Sequence, residues 1–128
     1  MMKLLTGEKG FTLVELIAVM VILSVLAAVA IPRYMSLDES ARQRAIEAGI
    51  SELNGRETLI WSNIKITRSG YTDDATLFPI LDTTLGGDYS WIGGSPAKDG
   101  GTLRFQTSVT ASLKRTESSD IRPGYWEK

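Results

Sequence analysis

The stretch that decides the fold is residues 7–34, GEKGFTLVELIAVMVILSVLAAVAIPRY. From Leu16 to Ile31 only Ser24 interrupts an apolar run of sixteen residues, and counted from Phe11 the run reaches twenty-one. A helix of about 20 such residues spans the roughly 30 Å of hydrocarbon in a bilayer. The segment therefore predicts a helix that crosses a membrane once.

A glutamate lies inside this apolar segment, where a plain membrane anchor has no use for it. A charged side chain at Glu15 would cost on the order of 2.5 to 3.5 kcal/mol in a membrane, so we expect a partner of opposite charge. A cut between Gly10 and Phe11 would supply one, because the new α-amine would be mostly protonated at neutral pH. The amine would lie beside the carboxylate, and an ion pair could form within one chain or between neighbours.

The residues around this junction resemble a known signature. Gly10, Phe11, Thr12 and Glu15, followed by the apolar run and Pro32, are similar to the N-terminus of type IV prepilins and of the pseudopilins of type II secretion. The resemblance implies cleavage after Gly10 by a prepilin peptidase and N-methylation of Phe11. It also implies that Glu15, with Thr12 and Pro32, serves filament assembly, in which the glutamate pairs with the N-terminus of an adjacent subunit.

This resemblance implies a structural subunit of a type IV pilus-like extracellular filament and not an enzyme. The expected partners are further copies of the chain in a helical filament, the prepilin peptidase and the inner-membrane pilus assembly machinery. The precursor would cross the cytoplasmic (inner) membrane once and leave it for an extracellular pilus or a periplasmic pseudopilus. A minor pilin, a type II secretion pseudopilin and a membrane- or tip-displayed binding module stay open as alternatives.

Two other interpretations of the N-terminal stretch stay open. A secretory signal has an apolar core of about 7 to 15 residues before a small-residue cleavage site, which Ala28 and Ala30 could imitate. An uncleaved signal anchor also fits, because Lys3 and Lys9 satisfy the positive-inside rule. Neither interpretation accounts for Glu15.

The composition argues against catalysis and against nucleic-acid binding. The 128 residues include no cysteine and no histidine, which removes the usual thiolate and imidazole metal sites, Cys and His nucleophiles and the commonest general base. Lys and Arg number 14 against 15 Asp and Glu, a net charge of −1. We therefore expect no broad basic surface and no nucleic-acid partner, and no cofactor or metal ion.

Charged side chains beyond the apolar segment are predicted to be solvated. The pairs Arg42 with Arg44 and Lys114 with Arg115 are interpreted as solvated faces. Several aspartates offer the hard oxygen ligands that calcium takes, but they match no spaced loop pattern. These are interpreted as solvated turn acids: Asp73, Asp74, Asp82, Asp88 and Asp99.

The chain divides into four predicted segments. They are a leader at 1–10, the hydrophobic stem at 11–36, an amphipathic helix at 37–64 and a globular β-sheet head at 65–128. Pro32 predicts a kink or a loosened turn, because its ring removes one helical hydrogen bond and crowds a carbonyl. Beyond it, Ser36 or Asp38 is predicted to cap a new run of helix.

An apolar stripe with helical spacing predicts the amphipathic helix. The stripe consists of Ile46, Ile50, Leu53, Ile60 and Ile64, and only Glu57 interrupts it. Asn54-Gly55 is a turn signal, but the stripe keeps its phase across the pair, which favours a continuous helix. Gly49 and its neighbouring alanines are small enough to let another helix approach. Trp61 is interpreted as a core aromatic under the following sheet.

Beyond Gly70 the apolar period changes to two, which is typical of half-buried antiparallel strands. The predicted strands are 88–92, 102–106 and 108–115, with Gly100-Gly101 in the first connection.

Two further segments complete the head. Pro79 argues against a central strand, so residues 74–81 are predicted as a short helix or a loop. Tyr125 and Trp126 are predicted to tuck against the sheet. The resulting fold class is α+β: a long N-terminal α-helix, with a hydrophobic stem and an amphipathic half, packed on a small antiparallel β-sheet head.

Overall fold

The computed structural model describes residues 10–128. Its longest element is helix α1, Leu13–Ile66, which has 54 residues. The helix runs through Pro32 and through Asn54-Gly55 without interruption. The continuous helix predicted across the Asn-Gly pair is therefore confirmed, and α1 ends slightly beyond the predicted end at Ile64.

The prediction of a new helical start near Ser36 or Asp38 is wrong, because both residues lie inside α1. Ser36 is accommodated there by donating its hydroxyl hydrogen to the carbonyl of Arg33 at 2.9 Å. Such a bond to the preceding turn is a usual arrangement for a serine within a helix. The kink or loosened turn at Pro32 stays a prediction.

The chain separates into two compact units, Met1–Asp38 and Glu39–Lys128. In its described part, the first unit consists of the start of α1 and the residues just before it. The second unit contains the rest of α1 and every other element of the described chain.

A short helical segment follows α1. Helix α2, Asp74–Leu77, leads directly into a 3₁₀ turn at Phe78–Ile80, which contains Pro79. Asp73 caps α2, because its side chain accepts a hydrogen bond from the backbone N–H of Thr76 at 2.9 Å. Of the two alternatives predicted for this region, a short helix or a loop, the structure has the short helix.

The sheet is an antiparallel meander in the order β1-β2-β3-β4. Its strands are β1 Tyr89–Trp91, β2 Gly100–Phe105, β3 Val109–Thr116 and β4 Tyr125–Glu127. The first three confirm the predicted strands with small shifts at their ends. Gly100 and Gly101, predicted to lie in a connection, instead begin β2.

Strand β4 is absent from the sequence-based prediction. Its register pairs Trp126 with Arg115, and Asn54 on α1 closes its other edge. The side chain of Asn54 accepts a hydrogen bond from the Trp126 N–H at 2.7 Å and donates one to the Trp126 carbonyl at 3.0 Å. Because an open strand edge is a template for another chain, Asn54 takes the place that a further strand could occupy.

The core of the second unit lies between α1 and the inner face of the sheet. Its buried apolar side chains are Ile46, Leu53, Leu81, Leu103, Val109, Leu113 and Trp126. Ile50 and Ile60 pack against it with partial burial. The apolar stripe, the α+β fold class and the packing of Trp126 are thereby confirmed, whereas Tyr125 is 55% exposed.

Two predictions about α1 need correction. A Cβ on Gly49 would come within 3.0 Å of a ring carbon of Tyr89 on β1. The small size of Gly49 therefore lets the sheet, and not another helix, approach α1. Trp61 is only half-buried, and its indole N–H donates to the carbonyl of Ser119 at 2.8 Å.

Candidate functional site

The start of α1 holds the residues that the sequence singles out. Gly10 and Phe11 precede the helix, and the side chain of Phe11 is 84% exposed. The hydroxyl of Thr12 accepts a hydrogen bond from the backbone N–H of Glu15 at 3.2 Å. In return, Glu15 Oε2 accepts one from the Thr12 N–H at 3.0 Å. This reciprocal pair is a capping box, which satisfies two N–H groups that a helix start otherwise leaves open.

The capping box gives the carboxylate of Glu15 a defined position. Within the described chain its Oε2 atom bonds to Thr12, while Oε1 keeps its lone pairs for another donor. The sequence contains the signal for this arrangement, because a threonine followed three residues later by a glutamate is the spacing of a capping box. The sequence analysis used the charge of Glu15 and missed this spacing.

Between Leu13 and Ile31 the helix exposes side chains on every side, and nearly all of them are apolar. Glu15 is the only charged residue in this stretch, and the hydroxyl of Ser24 donates to the carbonyl of Met20 at 2.7 Å. The stretch extends about 28 Å, close to the thickness of bilayer hydrocarbon. The helix is long and apolar enough to cross a membrane. A helix that is apolar all round needs lipid or other helices around it.

The structure brings only some of the predicted site residues together. Thr12 and Glu15 are in direct contact, with Gly10 and Phe11 next to them in the chain. Pro32 lies on the same helix, about 25 Å along its axis from Glu15. Pro32 therefore makes no direct contact with Thr12 or Glu15 of its own chain.

A second group of charged residues lies buried between α1 and the head. Arg115 donates from Nη1 and Nη2 to the two carboxylate oxygens of Asp74, both at 2.8 Å. Its Nη2 also donates to Glu57 Oε2 at 3.1 Å, and its Nε donates to Glu57 Oε1. The indole N–H of Trp126 donates to Glu57 Oε1 at 2.9 Å. The predictions that Arg115 and Asp74 are solvated are therefore wrong.

The geometry of this cluster suits a structural role. Burial alone would raise the pKa of Asp74, but hydrogen bonds from Arg115 and Ser118 outweigh it and lower the pKa to about 2. Burial alone would lower the pKa of Arg115, but its bonds with Asp74 and Glu57 raise that pKa. Asp74 and Arg115 thus stay charged at neutral pH and partner each other, so neither is available for proton transfer.

The other aspartates that the sequence analysis considered as calcium ligands lie apart from one another. Asp73 caps α2, Asp82 pairs with Arg56 at 3.6 Å, and Asp88 and Asp99 are exposed. Within residues 10–128 no three carboxylates come together in a group that could hold a metal ion.

Two features of the sequence indicate the buried charged cluster, but the sequence analysis did not use them. Glu57 stands at the position where the apolar stripe of α1 expects a buried residue. Arg115 continues the inward phase of β3 that Val109, Ala111 and Leu113 set. Asp74 carries no comparable signal, because a short helix gives its side chains no clear periodicity.

Comparisons with known proteins agree with the geometry of the N-terminus. The family model of the prokaryotic N-terminal methylation motif matches residues 5–31. A fimbrial protein of Pseudomonas aeruginosa is 34% identical over 123 residues, which are 91% of this chain and 75% of that protein. No solved structure matches the chain.

Two further relatives match shorter parts. The type IV narrow pilus major component PilA5 of Thermus thermophilus is 48% identical over 40 residues, 31% of this chain. Another Pseudomonas aeruginosa fimbrial protein is 43% identical over 58 residues, 45% of this chain. These matches cover 34% of the Thermus protein and 36% of the second Pseudomonas protein.

Proposed function

Because the chain belongs to the type IV pilin family, we propose that it is a structural subunit of a type IV pilus-like extracellular filament. The observation that carries this proposal is the apolar, exposed part of α1, with one carboxylate oriented at its start. Such a helix can lie in a membrane as a monomer and among identical helices in a polymer. The name of the Thermus relative, a major component of its pilus, supports a major subunit here.

The N-terminal residues have separate roles in this proposal. A prepilin peptidase cleaves between Gly10 and Phe11, and the new N-terminus at Phe11 is methylated. The protonated amine then binds Glu15 of a neighbouring subunit. Oε1 of that glutamate is the acceptor, since Oε2 is held by the capping box with Thr12.

The physical reason for this pairing is the environment of the helix. Lipid tails are as apolar as the stem, so moving it from lipid into a bundle gains little from the hydrophobic effect. Close packing and the neutralisation of Glu15 must therefore supply the order, because an unpaired charge at this depth is costly. An incoming subunit in the wrong register would leave its amine and the carboxylate apart.

The proposal also places the protein in two compartments. The precursor crosses the inner membrane once through α1, with the head outside the cytoplasm. Assembly machinery in that membrane then transfers the subunit into an extracellular filament made of copies of the same chain. A minor subunit, a pseudopilin or a tip-displayed binding module would share the processing and differ in abundance and location.

Mass spectrometry of filaments sheared from the cell surface tests the proposal. We expect this chain to be the principal component and to begin at N-methylated Phe11. The variant Gly10→Val should stay uncleaved and be missing from the sheared fraction, whereas Gly7→Val, a matched change within the leader, should be processed normally. An abundant surface chain that begins at Met1 would contradict the proposal.

A further inference from the structure

A tight turn between β3 and β4 has one solvent-exposed apolar side chain, that of Ile121, at its tip. Ser119 and Arg122 form an antiparallel bridge with backbone hydrogen bonds of 2.8 and 3.4 Å, so Asp120 and Ile121 occupy its tip. The side chain of Ile121 is 87% exposed, the highest fraction among the large apolar residues in the described part of the chain. An isolated apolar side chain at the tip of a turn contributes nothing to its own core.

Contacts with α1 hold this turn in place. Trp61 donates its indole N–H to the carbonyl of Ser119 at 2.8 Å, and Lys65 pairs with Asp120 at 2.5 Å. Just before the turn, Ser118 is buried. A turn whose backbone is already held loses little conformational freedom when a side chain at its tip binds.

A cavity of about 300 Å³ opens at the opposite edge of the sheet, along β1. This β1 cavity is lined by Thr84, Leu85, Tyr89, Ser90, Trp91 and Gly94. Leu85 and the rings of Tyr89 and Trp91 supply apolar walls. The volume lies at the lower end of the range for small-molecule sites, about 300 to 1,000 Å³, and leaves room for one aliphatic side chain.

Ile121 cannot reach the β1 cavity of its own chain. The cavity lies beside one edge strand and the turn adjoins the other. Along α1, the hydroxyl of Tyr89 donates to the carbonyl of Ala45 at 2.7 Å, whereas the turn is held at Trp61. These two points of α1 are about 24 Å apart. Only a second copy can bring the two surfaces together.

In the described part of the chain, each of the two surfaces has an unpaired charge next to it in sequence, and the cavity also has Arg104, whose Nε donates to the hydroxyl of Ser90 at 3.1 Å. Arg122 directly follows Ile121, and Asp88 directly precedes β1. Within residues 10–128 neither side chain belongs to an ion pair. Asp88 lies near Tyr89, a lining residue of the cavity, and burial together with this carboxylate raises the pKa of the Tyr89 hydroxyl. Arg122, beside the apolar side chain, can therefore pair with Asp88, beside the apolar cavity.

We propose that Ile121 of one copy inserts into the β1 cavity of a second copy, with Arg122 placed against Asp88 of that copy. The inference rests on the proposed function as a filament subunit and adds a contact between heads. The contact is heterologous, since each copy uses two different surfaces, so it can repeat from copy to copy and extend a helical filament. A contact of a surface with itself would close a dimer instead.

Disulfide cross-linking tests this contact directly, because the chain has no native cysteine. The full-length chain carries Ile121→Cys together with Ser90→Cys, a nearly isosteric change at the cavity wall, and the cells assemble it into filaments. Oxidation of sheared filaments is expected to give a ladder of dimers, trimers and larger multimers. Each single substitution can give at most dimers. The matched control combines Ile121→Cys with Ser112→Cys, at an exposed position on β3, and should give no ladder.

Charge reversal tests the same contact without cysteine. Arg122→Asp is expected to lower the yield of filaments on the order of tenfold, and adding Asp88→Arg should restore most of it. Filaments that assemble normally but give neither the ladder nor the charge-reversal effect would overturn the contact and leave the proposed function standing. A wild-type chain that is absent from surface filaments would overturn the proposed function itself.

Discussion

Glu57 on α1 and Arg115 on β3 form an ion pair whose two side chains are both 0% exposed. Asp74 and Trp126 complete their hydrogen bonds, so the cluster connects the helix with α2, β3 and β4. Gly124 covers it closely, because a Cβ there would lie 2.6 Å from Glu57 Oε2. The pair therefore makes α1 an electrostatic as well as an apolar part of the head.

We expect the head to require the second half of α1. The buried core between α1 and the sheet lies entirely in Glu39–Lys128, so a protein that begins at Glu39 should fold. A protein that begins after Ser62 loses Ile46 and Leu53 from the core and leaves Arg115 without Glu57. Thermal melting followed by circular dichroism should show a cooperative transition for the first and none for the second. A native-like transition of the shorter protein would refute this expectation.

Removing one partner of the buried pair should be far more damaging than removing an exposed one. Glu57→Ala is expected to lower the free energy of unfolding by about 3 to 5 kcal/mol, because Arg115 keeps its charge and loses half of its carboxylate partners. The control is Glu52→Ala, which breaks the exposed pair with Arg56 and should change stability by about 0.5 kcal/mol or less. Urea denaturation of the protein that begins at Glu39 measures both losses. Similar losses for the two variants would contradict a structural role of the buried pair.

The stability of the head should depend on pH through Asp74. Its pKa is lowered from 3.8 to about 2 in the folded protein, so the folded state favours the charged carboxylate. This contribution, about 2 kcal/mol, is complete well above pH 4 and is lost as the pH falls through about 2. Asp74→Asn should flatten the fall in urea midpoint between about pH 5 and pH 2, and Asp99→Asn, at an exposed position, should not. If the urea midpoint fell with pH in parallel for the wild type and both variants, Asp74 would not be the source of the pH dependence.

Asn54 should protect the edge of the sheet. Asn54→Ala leaves the N–H and the carbonyl of Trp126 without their side-chain partner, an expected loss of about 1 to 3 kcal/mol. The control Asn63→Ala changes an exposed asparagine of the same helix and should have little effect. Because the edge then becomes available to other chains, size-exclusion chromatography should also show self-association of the Asn54 variant only. A monomeric variant of unchanged stability would contradict this interpretation.

Most of the fold could be predicted because it depends on periodicity within short windows. The stripe from Ile46 to Ile64 has helical spacing and the strands alternate, so their inner faces are visible in the sequence. Strand β4 could not be predicted in this way, since three residues are too few to show an alternation. Asn54 shows the same limit, because its partner Trp126 is 72 positions away.

The N-terminal site and the buried cluster differ in how far they could be predicted. Glu15 is conspicuous because a charge inside an apolar run is costly wherever the chain folds. Glu57 and Arg115 are 58 positions apart, and Asp74 and Arg115 are 41 apart. Glu57 and Arg115 each occupy an inward position of their own element, but neither local pattern identifies the other as its partner. Asp74 has no such local signal. The sequence shows which residues are unusual in their local surroundings, but not which distant residues neutralise each other.

The two roles of Glu15 can be separated by substitution. It caps the helix through Thr12, and in our proposal its charge binds the amine of a neighbouring subunit. Glu15→Gln preserves the capping box, because glutamine serves at that position as glutamate does, but it removes the charge. Glu15→Ala removes both.

We expect Glu15→Gln and Glu15→Ala to be cleaved normally and to be severely reduced in filaments, because both lack the charge. Thr12→Ala should be milder, since it loses mainly an N-cap worth about 0.5 to 2 kcal/mol of helix stability, and Thr12→Ser should resemble the wild type. Immunoblots of the membrane and sheared fractions compare processing with assembly for each variant. If Glu15→Gln assembled as the wild type does while Glu15→Ala failed, the capping box and not the charge would be what assembly requires, because the two variants differ in their ability to accept the Thr12 N–H.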